Sequence, residues 1–96
     1  MRVSHSNPAA AKKQALLDKY PGLTRHFEEL ENTIRDNPDA GAKELMVNKS
    51  GGSTPVRVLS AQTEIFSGAI SYSKELTVIY ICSDDMTLGR IVQYLF

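Results

Sequence analysis

The clearest periodic signal lies in the second quarter of the chain. Leu23, Phe27, Leu30 and Ile34 recur at i, i+4, i+7 and i+11, the spacing that lines one side of a 3.6-residue helix. Thr24 stands where a cap belongs, Glu28 and Glu29 suit a first turn, and Asn37-Pro38-Asp39 with Gly41 behind it stops the helix. Upstream, Asn7-Pro8 reads as a cap followed by proline at the first helical position. The segment Ala9 to Tyr20 is rich in Ala, Leu, Lys and Gln, and it puts Ala9, Leu16 and Tyr20 on one face with the Lys13 stem between them. Pro21-Gly22 separates the two helices, which predicts an antiparallel helical hairpin. Met1 to Ser6 holds only Val3 among polar neighbours and is at most an accessory strand.

The pattern then changes period. Residues 42–55 form a polar connection whose flexible centre is Lys49-Ser50-Gly51-Gly52-Ser53-Thr54-Pro55. Val56 to Leu59 is a short β-branched start. Glu64 to Tyr72 alternates, with Phe66, Ile70 and Tyr72 on one side and a gap at Gly68. Leu76 to Cys82 is apolar on both faces apart from Thr77, which suits a central strand covered on both sides. Leu88 to Phe96 alternates again, placing Leu88, Val92 and Phe96 on one face with Arg90 and Tyr94. Ser73-Lys74-Glu75 and Ser83-Asp84-Asp85-Met86 are short polar links of the hairpin kind. The expected fold is α+β in the order (β)ααβββ, one domain over residues 1–96, with the helical hairpin on one face of a small antiparallel sheet.

Composition narrows the function more by exclusion than by signal. The 11 Lys and Arg balance the 11 Asp and Glu, which argues against a strongly basic nucleic-acid coat and leaves a local basic patch open. The single cysteine, Cys82, has no internal disulfide partner and reads as a small core residue. The apolar run Leu76 to Cys82 is far too short to cross a bilayer and no signal-peptide stretch opens the chain, so a cytoplasmic protein without membrane contact is the expectation. Gly51-Gly52 lacks the flanking Gly and Lys of a phosphate-binding loop, and His5 and His26 stand apart from any Cys or Asp cluster, so no cofactor and no metal is expected. Asp84-Asp85 reads as an Asx turn.

Three stretches carry a family resemblance across nearly the whole chain: "MRVSHS" running into "PAAAKKQALLDKYP", then "ENTIRDNPDAG", then "LTVIYICSDD". Together they resemble the RelE/ParE superfamily of toxins from bacterial toxin–antitoxin modules. "LTVIYICSDD" is similar to that family's Tyr-Arg-x-x-Tyr-x-x-Asp-Asp strand, with Tyr80 at the second tyrosine and Leu76 and Thr77 at the usual Tyr and Arg. "GRIVQYLF" echoes the family's C-terminal Arg and Tyr in Arg90 and Tyr94.

The resemblance implies a toxin that inhibits translation as a ribosome-dependent endoribonuclease. Its chemistry is attack of a 2′-OH on the adjacent phosphate, which needs a base, cations for the developing charge, and an aromatic to stack a nucleobase. The residues carried over to catalysis are Arg57, Arg90 and Tyr94, with Lys43 and Lys49 for RNA binding. The implied partners are a cognate antitoxin, docking in the groove beside the helices or on the sheet edge, and the ribosome with its mRNA. Two rivals stand beside it: a ParE-like toxin that inhibits DNA gyrase by binding alone, favoured by zero net charge and by Thr77, and a non-catalytic protein-interaction module of the same fold.

Overall fold

The computed structural model describes residues 1–96, the side chain of Ser67 excepted. Its order is β1 (Arg2–His5), α1 (Asn7–Lys19), α2 (Thr24–Asp36), β2 (Ala42–Val47), β3 (Ser53–Ser67), β4 (Ile70–Cys82) and β5 (Leu88–Leu95), with single 3-10 turns at Pro21–Leu23 and Pro38–Ala40. The strands form one sheet in the order β1-β5-β4-β3-β2. β1 runs parallel to β5, and every other neighbour is antiparallel. The α+β class and the helical hairpin on a sheet are as the sequence predicts; the sheet has five strands rather than three or four, and the parallel β1 makes it mixed rather than antiparallel.

The helical layer follows from its apolar stripes. Ser6, one residue before the expected cap, accepts the Ala9 N–H at 3.2 Å, and Pro8 occupies the first turn, where no N–H is needed. Leu23, Phe27, Leu30 and Ile34 are all buried, together with Ala9 and Leu16 of α1. Thr24 is not a cap: its hydroxyl donates back to Pro21 O, and α2 begins at Thr24 itself, so Glu28 and Glu29 lie beyond the first turn. The stripes close on Leu76, Val78 and Tyr80 of β4 and on Ile91 and Tyr94 of β5 to make a single core.

Five strand expectations are corrected. Residues 42–47 are not connection but an edge strand paired along its length with β3, and only residues 48–52 turn. Glu64 to Tyr72 is not one strand; it holds the β3–β4 hairpin turn, where Gly68 takes φ +64, a left-handed conformation that glycine adopts without steric cost. Ser73-Lys74-Glu75 accordingly lies inside β4. β4 is covered on one face only: Leu76, Val78 and Tyr80 meet the helices, while Thr77, Ile79 and Ile81 on the reverse keep part of their surface exposed.

The last correction sets the geometry of the candidate residues. Ile79 pairs with Gln93 but Tyr80 pairs with Ile91, so β5 carries one extra residue, Val92, as a bulge. The bulge shifts the side-chain alternation by one. Ile91 and Tyr94 therefore both point into the core, and Arg90 points to the helix-free face, opposite Tyr94.

Beyond the Thr77–Leu95 pair, β3 and β4 continue as a two-stranded arm that ends in exposed Phe66 and Ile70. Among the described residues no helix is long and apolar enough to cross a membrane.

Because Phe27 and Leu30 seat α2 on the sheet, Phe27→Ala and Leu30→Ala should each cost about 2 to 5 kcal/mol. Urea melts of the two variants check this, and a loss below about half a kcal/mol would mean that the stripe contributes no packing.

Candidate functional site

Chemistry-bearing side chains gather at three places. The first lies under the helical hairpin. Glu31 projects from α2 into the layer between helices and sheet and is 9% exposed. Lys13 Nζ donates to both of its oxygens at 3.1 and 3.0 Å, His5 Nε2 lies 2.6 Å from Oε1, and the Tyr94 hydroxyl donates to Oε1 at 3.4 Å. His5 Nε2 is also 3.0 Å from the Tyr94 hydroxyl. Phe27 packs edge-on against the Tyr94 ring, with centroids 5.0 Å apart. Burial, then the charge and hydrogen bond of Glu31, push the Tyr94 phenol far above its ordinary value. A fully buried phenol held in this way is a donor that locks a carboxylate. It offers no ring for a nucleobase to stack on.

The second is a groove of about 550 Å³ where β2, β3 and β4 meet the Ser83–Met86 turn, lined in part by Lys43, Pro55, Arg57, Cys82 and Asp84. Arg57 is committed to the fold there. Its guanidinium reaches the Asp39 carboxylate at 3.1 Å and donates to Gly41 O at 2.9 Å. Beside it the Tyr80 hydroxyl donates to Pro38 O at 2.7 Å and accepts from the Gly41 N–H at 3.0 Å. These contacts staple the Pro38–Ala40 turn to the sheet. They also explain Gly41, since a Cβ there would lie 2.7 Å from the Tyr80 hydroxyl. Burial raises the Cys82 thiol, against the pull of Arg57, so it is a poor nucleophile.

The third is a shallow depression of about 330 Å³ on the helix-free face, where Arg2 and Ser4 of β1 stand beside Leu88 and Arg90 of β5, with Ile81 next to them on β4. Both arginines are exposed, and among the described residues neither forms an ion pair. The Ser83–Met86 turn beside it is fastened by Asp85, as the Asx reading predicts. Asp85 accepts from Thr87 and Ser83, which lowers its carboxyl below the usual range.

The residues carried over for RNA cleavage are therefore not gathered. Lys43 and Arg57 are register partners on β2 and β3 and share the groove. Lys49 sits exposed in the 48–52 turn, Arg90 lies on the helix-free face, and Tyr94 is inside the core. Arg57 and Arg90 flank β4 from its two sides, across Tyr80 and Ile81. The residue that sequence reasoning missed is Glu31. Its signal was available, because it falls four residues after Phe27 and so places a carboxylate beside the apolar stripe, which calls for a partner. Among the described residues no group of three His, Cys, Asp or Glu could hold a metal ion.

Comparison with protein-family models, with curated proteins and with solved structures finds no match for this chain.

Two outcomes test this geometry. Gly41→Ala should lose about 1 to 3 kcal/mol by forcing Tyr80 and Arg57 off the 38–40 turn, measured by thermal or urea melts. The second concerns alkaline pH. Tyr80 and Tyr94 both hold their protons more tightly folded than unfolded, above the ordinary 10.0. Their contribution to stability is complete below that value and drains away as the pH rises above it. Phenolate absorbance should then lag by two of the four tyrosines until the helical circular dichroism collapses, and Tyr94→Phe should shrink the lag.

Proposed function

We propose that this chain acts by binding a protein, as a non-catalytic module of RelE/ParE-like architecture, and that its working surface is the helix-free face of the sheet. The observation that carries the reading is the Val92 bulge, which turns Arg90 outward and Tyr94 inward. Three groups that must converge on one phosphate cannot do so when one is buried, one is on the far face, and the third is tied to Asp39. What Arg90 does share is a surface: Arg2 and Ser4 beside it, Ile79 and Ile81 next to it on β4, and exposed Leu95 along β5. Free guanidiniums at the rim of an apolar strip suit a protein carrying carboxylates around an apolar anchor. A gyrase-type target and a cognate antitoxin are both partners of that class.

Ribosome-dependent mRNA cleavage is the competing reading, and the groove that joins Lys43 to Arg57 is the feature that speaks for it. Induced expression in a bacterial host separates the two. Under the binding reading, Arg90→Ala and Ile81→Asp relieve growth inhibition while Arg57→Lys and Tyr94→Phe do not, and primer extension finds intact mRNA. Cut transcripts that vanish with Arg57→Lys would restore the nuclease reading. Absence of any growth effect, together with absence of binding to the product of an adjacent gene, would remove toxins altogether and leave the interaction module.

A further inference from the structure

The edge strand β2 is open along its outer side. Asn48 shows which way its backbone points: its N–H donates to Gly52 O at 2.7 Å and its carbonyl accepts from Gly51 at 3.0 Å, both toward the β3 side. In an antiparallel strand the backbone groups of successive residues point to alternate sides. Met46, Glu44 and Ala42 therefore pair with β3, in the observed register with Thr54, Val56 and Val58. Lys43, Leu45 and Val47 direct their N–H and C=O groups away from the sheet, where β2 has no neighbour. The same residues carry exposed apolar surface, with Leu45 69% and Val47 78% exposed. Natural edges of this kind are blunted by proline, bulges or inward charge. This one has a regular register to β3 and only Lys43 as a guard among its three outward-bonding positions.

We infer that β2 pairs with β2 of a second copy of this chain, antiparallel about a two-fold axis at Leu45, so that two five-stranded sheets become one. The register is chosen by the side chains. Centred on Leu45, the pairing sets Leu45 against the partner's Leu45 and Lys43 against the partner's Val47, and each of these pairs exchanges both N–H···O bonds. All the hydrogen-bonded pairs join outward-bonding residues, and the axis stands perpendicular to the sheet, which keeps both helical layers on the same side. Sliding the register by two residues one way sets Glu44 directly against the partner's Glu44. Like charges directly opposite destabilise a strand pair. Sliding it the other way pushes Lys43 past the end of β2, against the 48–52 turn, and so loses one of the three hydrogen-bonded pairs. The central register also covers Leu45 and Val47, the two apolar side chains that the fold leaves bare at this edge. A foreign peptide strand could use the same hydrogen bonds, but this strand already carries its own complement.

Sedimentation equilibrium over micromolar to millimolar concentrations tests the inference on the intact chain. The wild type should fit a monomer–dimer equilibrium. Leu45→Pro removes an N–H that the fold itself does not use, so it should give a monomer with a melting curve close to that of wild-type monomer. Leu45→Lys sets two ammonium groups on the axis and should do the same without any proline. In a Cys82→Ser background, Leu45→Cys should cross-link to a covalent dimer with a short bis-thiol reagent, whereas Lys49→Cys should not. A wild-type chain that stays monomeric throughout, or a dimer that survives both Leu45 substitutions, overturns the inference. Preferential cross-linking through Lys49→Cys overturns the register.

Discussion

A single buried carboxylate ties both helices to β1 and β5 of the sheet. Glu31 reaches down from α2 and is met by Lys13 of α1, His5 of β1 and Tyr94 of β5, so four elements converge on one side chain. Burying a charge is tolerable only when hydrogen bonds and opposite charge replace its water, and here every partner comes from a different element. No buried side-chain polar atom is left without a partner among the described residues. The arrangement is directional where the surrounding Leu and Ile packing is not. It joins α2 to α1, β1 and β5 at one point.

The Val92 bulge has a comparable reach. One inserted residue lets Tyr94 join the Glu31 network while Arg90 stays in water beside Arg2. Without it a regular strand would carry Arg90 and Tyr94 on one face. The sheet thus trades a convergent polar site for a well-anchored core on one side and a bare, arginine-rimmed surface on the other. The groups able to meet a ligand are the ones the core did not absorb.

The helical half was legible because its signals are local. A stripe at i, i+4 and i+7, a proline after a polar cap, and Asn-Pro-Asp at the end decide the chain without reference to distant residues. Boundaries slipped at the helix starts, between Ser6 and Asn7 and at Thr24, whose hydroxyl turns back to Pro21 instead of capping α2. The sheet was harder to read. β2 has Lys43 and Glu44 in its middle and lies at an edge, where burial imposes no alternation, so its sequence looks like connection. The real hairpin at Gly68 was hidden by apolar residues on both sides that an exposed arm does not bury. The bulge cannot be seen in β5 alone, since it is a mismatch between two strands and exists only in their pairing. The candidate site depended on that pairing, which is why Arg90 and Tyr94 look like neighbours in sequence and are not.

The pairing of β1 with β5 ties residues 2–5 to residues 88–91. Every other strand pair joins consecutive segments of the chain, so this one contact carries the longest loop closure in the molecule. During synthesis the helices and the β2–β4 meander can assemble as they emerge, but Leu76, Val78 and the Glu31 carboxylate must wait for the last strand before they are covered and paired. Until β5 arrives, the half-built protein shows its future core and a charged group without its phenol partner. A chain still lacking β5 is therefore the form most exposed to proteases and to collapse onto its neighbours.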